Sequence, residues 1–265
     1  LAVHAGFPEA AQLRYTRIMR LAVHPAATRR GVGTRLVREI LQRNAGTGVD
    51  AVGTSFGATS ELLDFWRRLE FHSVRLGLRR EASSGTNSVL MLHPLTPEGS
   101  ALQRRLRSHL LLQLPTMLGG PLRELEVGIV LRLLQDLPPP PTGGMSAQEW
   151  RDAISFAYGR RGYEVCMEAI NKLVFGALAN RNVADALHTL DRELLVLRVL
   201  QNRGWESVAP RLGFSGRKQG SAALRAALRR LAEIGVAKHH PELAGLHFDD
   251  TMIYTVVTKE TGCIR

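Results

Sequence analysis

The residues best suited to chemistry stand close together early in the chain, in the stretch Thr28-Arg29-Arg30-Gly31-Val32-Gly33-Thr34. An apolar run, Leu21-Ala22-Val23, leads into it through His24-Pro25, and an amphipathic helix leaves it without pause. Glycine ordinarily ends helices; two glycines at a helix start mark a place where bare main chain is wanted. The first N–H groups of a helix have no internal acceptor and lie at the positive end of its dipole, so a strand–glycine–helix junction is a seat for phosphate. Lacking Cβ atoms, Gly31 and Gly33 let an anion approach, while Arg29 and Arg30 supply countercharge. A tight turn flanked by solvated arginines has the same composition, so context must decide.

Two known phosphate loops are excluded. There is no G-x-x-x-x-G-K-[ST], and the third glycine of the dinucleotide fingerprint is missing because Arg35, Leu36 and Val37 follow. Downstream, Glu61 and Arg68 stand seven apart, two turns along one helix face. Glu61 is also a natural first-turn acid, and Arg68 is spaced to pair with Asp64 at i, i+4. His24 and His72 are the histidines nearest these groups in sequence and are candidate bases, although a lone histidine is more often structural. Phe65 and Trp66 read as core. Cys166 and Cys263 lie far apart in no ligand-like pattern, so neither a disulfide framework nor a metal site is indicated, and a reducing cytoplasm fits.

The elements that must position these groups follow from periodicity. Arg17 to Pro25 reads as a strand stopped by proline, Arg30 to Asn44 as a helix, Val49 to Gly57 as a second strand and Thr59 to Phe71 as a second helix, with Thr59 or Ser60 as N-cap. "SVRLGLR" and "SVLMLHPL" are two further strands joined by the turn "REASSGTN". This order implies an α/β (α+β) fold: a mixed sheet flanked by helices over residues 1–96. From Pro97 the texture is helical, interrupted by "PPPPTGG" (Pro138 to Gly144), and residues 97–265 read as an all-helical C-terminal domain. "MIYTVV" in the last 25 residues has the character of a strand.

A chain of 265 residues holds one large core or two ordinary ones. No run reaches the roughly 18 apolar residues of a membrane helix, and the start lacks the order of a signal peptide. The net charge of +11 favours a polyanionic partner. Only Lys172, Lys218, Lys238 and Lys259 among the 35 basic residues are lysines, so a preference for arginine codons is the plainer alternative. Between Arg198 and Lys238 the basic residues are opposed only by Glu206 and Glu233. "WESVAPRLGFSGRK" within 191–234 has the form of a helix-turn-helix, which places Arg217 and Lys218 as nucleic-acid contacts.

The hexad "TRRGVG" resembles the [QR]-x-x-G-x-[GA] signature of the Gcn5-related N-acetyltransferase (GNAT) superfamily, with Thr28 where Gln or Arg is usual and Arg29 one place later. "RLAVHPAATRRGVGTRL", "SFGATSELLDFWRRLEF" and "RLGLRREASSGTNSVLMLHPL" resemble one branch, the tRNA(Met) cytidine acetyltransferases, over most of residues 13–96. The resemblance implies a GNAT-type sheet and acetyl-CoA as cofactor. Leu21, Ala22 and Val23 would line its acetyl and pantetheine arm, and Thr28, Arg29, Arg30, Gly31, Val32, Gly33 and Thr34 would hold its phosphates. Glu61 and Arg68 would border the coenzyme, with Glu61 the candidate catalytic base.

The implied reaction is direct acetyl transfer to N4 of the wobble cytidine of elongator tRNA(Met), giving N4-acetylcytidine, with Arg79, Arg80, Arg217 and Lys218 on the RNA. It also implies an ATP-binding module upstream of this chain, which would then be the C-terminal portion of a longer enzyme that works in the cytoplasm. Two alternatives stand beside it: a helix-turn-helix regulator of duplex DNA, and a GNAT enzyme acting on a protein or small-molecule amine.

Overall fold

A computed structural model of the chain describes residues 1–80, 85–138 and 144–239. The tip of the "REASSGTN" turn with Glu81, Ser83 and Ser84, most of the "PPPPTGG" segment and the "MIYTVV" strand lie outside the described residues. Contacts divide the chain into two compact units: Leu1–Met117 with Gly128–Pro138, and Leu118–Val127 with Pro139–Arg265.

The first unit is built on a four-stranded mixed sheet of order β1-β2-β4-β3, from β1 (Tyr15–Ile18), β2 (Ala51–Gly57), β3 (His72–Arg80) and β4 (Asn87–Pro94). β1 and β2 are parallel; β4 runs antiparallel to β2 and to β3. Between β1 and β2 lies α1 (Val32–Asn44), and between β2 and β3 lies α2 (Ser60–Arg67). Period-two alternation in β4 divides its side chains between two buried faces. Leu92 joins Val74, Ala10 and the α3 (Pro97–Gly119) residues Leu102 and Leu106, with Phe7 and Leu13 packed against them. Val89, Met91 and Phe56 take the opposite face, where the Trp66 ring of α2 stacks on Phe56. Helices therefore cover both sides, as a sheet buried on both faces requires.

Gly99 sits where α3 meets the start of β2: a Cβ there would overlap the carbonyl of Asp50. Asp50 itself accepts from Arg14 N (2.8 Å) and from Thr96 Oγ1 (2.7 Å), tying the entrances of β1, β2 and α3 together.

The second unit is helical among the described residues: α5 (Ala147–Tyr158), α6 (Tyr163–Ala179), α7 (Arg181–Ala186), α8 (Thr189–Leu194), α9 (Trp205–Arg211) and α10 (Arg217–His239). α4 (Val127–Asp136) belongs almost wholly to the first unit. Ser146 and Glu149 form a reciprocal capping box that starts α5. α8 runs into a π-helical stretch, Leu195–Leu200, whose apolar side chains are buried. α9 and α10 follow one another through a turn at the left-handed Gly213. Their close crossing depends on Gly220, where a Cβ would overlap the Trp205 ring.

Candidate coenzyme seat and basic helical surface

β1 pairs with β2 only from Tyr15↔Ala51 to Ile18↔Thr54, while β2 continues through Ser55, Phe56 and Gly57 along β4. The strand expected to reach Pro25 therefore ends at Ile18. Beyond it, the N–H groups of Leu21, Ala22 and Val23 have no main-chain acceptor among the described residues. The two parallel strands part there, and Ser55–Gly57 stay paired with β4 alone among the described strands. The chain is turned away by a short 3₁₀ helix, Pro25–Ala27, whose N-cap is His24. His24 Nδ1 accepts from Ala26 N (3.2 Å), and Thr28 Oγ1 donates to the Pro25 carbonyl (2.8 Å). His24 thus has a capping task, and the Thr28 hydroxyl bonds back into the turn.

The glycine loop follows. Arg29 has φ +60° and Gly31 φ +78°, so two left-handed residues fold the backbone into a concave bend before α1 begins at Val32, two residues later than expected. For Arg29 this conformation costs about 1–2 kcal/mol, and such strain gathers at ligand-binding loops. Gly31 is the N-cap and offers no side chain to the first turn. The N–H groups of Val32, Gly33 and Thr34 lack intrahelical acceptors by their position. No carboxylate stands in that turn, a Cβ at Gly31 would meet nothing within 4 Å, and Arg29 and Arg30 are exposed. Unpaired donors, an open approach and two cations fit a diphosphate group. Gly33 differs from Gly31: its missing Cβ would point inward, 3.5 Å from Phe65 Cζ and 3.6 Å from Val23 Cγ2. The structure so brings Val23, Gly33 and α2 together.

On α2, the Thr59 side chain accepts from Leu62 N and starts the helix. Glu61 in the first turn and Arg68 at the C-cap are exposed. Asp64 pairs with Arg132 Nε of α4 (2.9 Å) and not with Arg68, so the i, i+4 pair considered for Arg68 is absent. His72 belongs elsewhere: its Nδ1 lies 2.7 Å from Asp136 Oδ1.

Asp136, 3% exposed, is a hub that the sequence did not reveal. Its Oδ2 accepts from Ser73 N (2.7 Å), Arg67 Nε lies 3.6 Å from Oδ1, and its carbonyl accepts from Arg107. Burial pushes its carboxyl upward, but hydrogen bonds from His72 and Ser73 and the His72 charge outweigh that and hold it below the usual range. Burial lowers the Arg107 guanidinium, with Asp136 opposing. The hub fastens the end of α4 to the edge strand β3. No periodic or motif signal marks an aspartate at that position.

In the second unit the basic run divides into two populations. Arg203 donates to the Arg123 carbonyl (2.8 Å) and Arg229 to that of Ala157 (2.8 Å); Arg225 bonds the carbonyls of Phe156, Gly159 and Arg161. Arg230 makes a two-pronged pair with the buried Asp191 (2.8 and 2.6 Å), and Arg198 lies over the Tyr163 ring (4.4 Å). These arginines fasten helices to one another. Arg217 and Lys218 are exposed at the start of α10 and, with Ser221, Ala222 and Arg225, line an open depression of about 550 Å³. Arg217 lies 3.8 Å from Glu164, with both side chains exposed. Arg79 and Arg80 are exposed at the end of β3, in the first unit. No group of acids and histidines suited to a metal ion occurs among the described residues, and no described helix is long and apolar enough to cross a membrane.

Residues 41–96 match the family model GNAT acetyltransferase 2, a span from late α1 to the end of β4 that leaves the glycine loop outside. A tRNA(Met) cytidine acetyltransferase TmcA of Nitrosococcus halophilus is 46% identical over 231 residues, covering 87% of this chain and 31% of the relative. A protein of the same name from Haloferax volcanii is 33% identical (75% of this chain, 26% of the relative), and one from Yersinia pestis 32% identical (89% and 31%). The chain spans about a third or less of the length of these curated relatives. Sheet order, family match and relatives agree: the chain belongs to the tRNA(Met) cytidine acetyltransferase family of GNAT proteins and represents one portion of its members' length.

Proposed function

We propose that this chain carries the coenzyme-binding half of an enzyme that transfers the acetyl group of acetyl-CoA to N4 of the wobble cytidine of elongator tRNA(Met). The observation that carries the reading is the uncapped start of α1 beside the splay of β1 and β2. In it, the N–H groups of Val32, Gly33 and Thr34, with Arg29 and Arg30, hold the diphosphate, and Thr28 shapes the turn before them. Leu21, Ala22 and Val23 run along the acyl arm with N–H groups that no main-chain carbonyl of the described residues accepts. A donor aimed where a thioester oxygen gains negative charge is the kind of preorganised group that contributes most to acyl transfer. Glu61 and Arg68, exposed on α2, border the coenzyme, and Glu61 is the candidate acceptor for the proton that leaves N4.

The parts on either side of residue 96 divide the labour: the sheet part binds coenzyme and the helical part grips RNA. Arg217 and Lys218 are the cations we assign to phosphates, with Arg79 and Arg80 as a second contact from the sheet. ATP, bound by a module outside this chain, drives the complete enzyme, and the work is cytoplasmic, where charged coenzyme and tRNA meet. The helix-turn-helix also favours a second reading, a duplex-DNA regulator, which needs no acetyl-CoA.

Titration of the purified chain with acetyl-CoA, followed by incubation with acetyl-labelled coenzyme, ATP and bulk tRNA in the intact enzyme and nucleoside analysis, tests the proposal. Label in N4-acetylcytidine supports it. Label on protein, or tight binding of duplex DNA with no affinity for acetyl-CoA, refutes it.

A further inference from the structure

Gly33 faces inward, and what it faces is an aromatic ring. Its Cβ position lies 3.5 and 3.6 Å from Phe65 Cζ and Cε2 and 3.6 Å from Val23 Cγ2. The Phe65 ring meets Trp66 edge-on (5.1 Å, 77°), Trp66 stacks on Phe56 (6.1 Å, 22°), and Trp66 meets Phe71 (4.9 Å, 62°). Phe56 belongs to the part of β2 that runs on after β1 has left it. A continuous line of rings thus joins the first turn of α1 to the β2 side of the splay. Phe65 is the member that faces the loop, at the point where Gly33 also faces Val23.

We infer that Phe65 is a positioning residue that fixes the distance between the diphosphate seat at α1 and the acyl gap between β1 and β2. The inference rests on the coenzyme reading above and adds to it a residue that touches neither phosphate nor acyl group. Close packing transmits small displacements, because interiors of this kind have few voids to absorb them. A ligand held at both ends is sensitive to the spacing of its two sites, whereas a ligand held at one end is not. Phe65 is half-buried and Trp66 carries the deeper packing, so shortening the Phe65 side chain shifts the seat without removing the core.

The test compares two ligands on the purified chain: acetyl-CoA, which reaches from seat to gap, and 3′-phosphoadenosine 5′-diphosphate, which reaches the seat alone. In Phe65→Leu the dissociation constant for acetyl-CoA is expected to rise about tenfold, and that for the diphosphate to stay within about twofold. Adding Gly33→Ala, whose methyl lies 3.5 Å from the Phe65 Cζ position and extends the loop toward the shortened side chain, is expected to restore acetyl-CoA binding to within about threefold of wild type, a coupling measured as a double-mutant cycle. Unchanged acetyl-CoA affinity in Phe65→Leu overturns the inference. Equal weakening of both ligands with a fall in melting temperature, or no rescue by Gly33→Ala, overturns it too. Wild-type protein that fails to bind acetyl-CoA defeats the coenzyme reading itself, a different result from wild-type binding that Phe65→Leu leaves intact.

Discussion

Replacing Asp136 by alanine removes the acceptor for the Ser73 N–H, which is fully buried, and the anion beside His72 and Arg67. An orphaned buried N–H costs about 1–3 kcal/mol. Breaking a buried charged network by taking one partner costs about 3–5 kcal/mol. The His72 and Arg67 side chains retain 32% and 23% exposure, so water recovers part of their loss, and we expect about 3 kcal/mol in all. Asp136→Asn keeps the shape and one acceptor and is expected to lose about half as much. Trp66 reports on the same unit, so urea unfolding followed by its fluorescence in a background with Trp150 and Trp205 changed to Phe reads the loss locally. Amide exchange at Ser73 reads it at one bond.

The pH dependence has a definite sign. The folded carboxyl is held below its ordinary value, so its contribution is complete above about pH 4, the unfolded value, and disappears as pH falls through the folded one. Wild type therefore loses stability on that acid limb and Asp136→Asn loses less. A Asp136→Ala protein within about 0.5 kcal/mol of wild type, with unaltered Ser73 exchange, would refute the hub.

Three further outcomes are expected. Gly31→Ala forces a Cβ into a left-handed conformation and costs about 1 kcal/mol with weaker acetyl-CoA binding, whereas Gly33→Ala, at ordinary contact distances, stays within about 0.5 kcal/mol; denaturation and calorimetric titration separate them. Arg217→Glu with Lys218→Glu lowers tRNA affinity and flattens its salt dependence while leaving the melting temperature near wild type, whereas Arg225→Ala lowers the melting temperature first, because its guanidinium bonds three carbonyls. Gly220→Val drives a branched side chain into the Trp205 ring and unfolds the helix-turn-helix, seen as loss of near-ultraviolet circular dichroism from Trp205.

Legibility in the sequence followed the range of the interactions. The glycine loop, the Thr59 cap and the two β strands after α2 are local devices, readable from neighbours three or four residues apart. The end of β1 at Ile18 was not legible, because the residues that follow are as apolar as a paired strand and only the loss of a partner stops it. Asp136 and His72 are 64 residues apart, and nothing in either neighbourhood announces the other. The basic run near the C-terminus was visible as charge, but which arginines bond carbonyls and which face solvent depends on helix packing. Gly220 did carry a signal: a glycine inside a long helix costs about 1 kcal/mol against alanine and so marks a close approach.

The interleaving of the two units bears on how the protein is made and cut. The first unit needs Gly128–Pro138, yet the second claims the ten residues just before them, so no single peptide bond separates one from the other. During synthesis the sheet cannot acquire the Asp136 anchor until that segment clears the ribosome. Expression of a domain trimmed at the end of β4 would leave Val74 and Leu92 bare of α3 and produce an aggregating product.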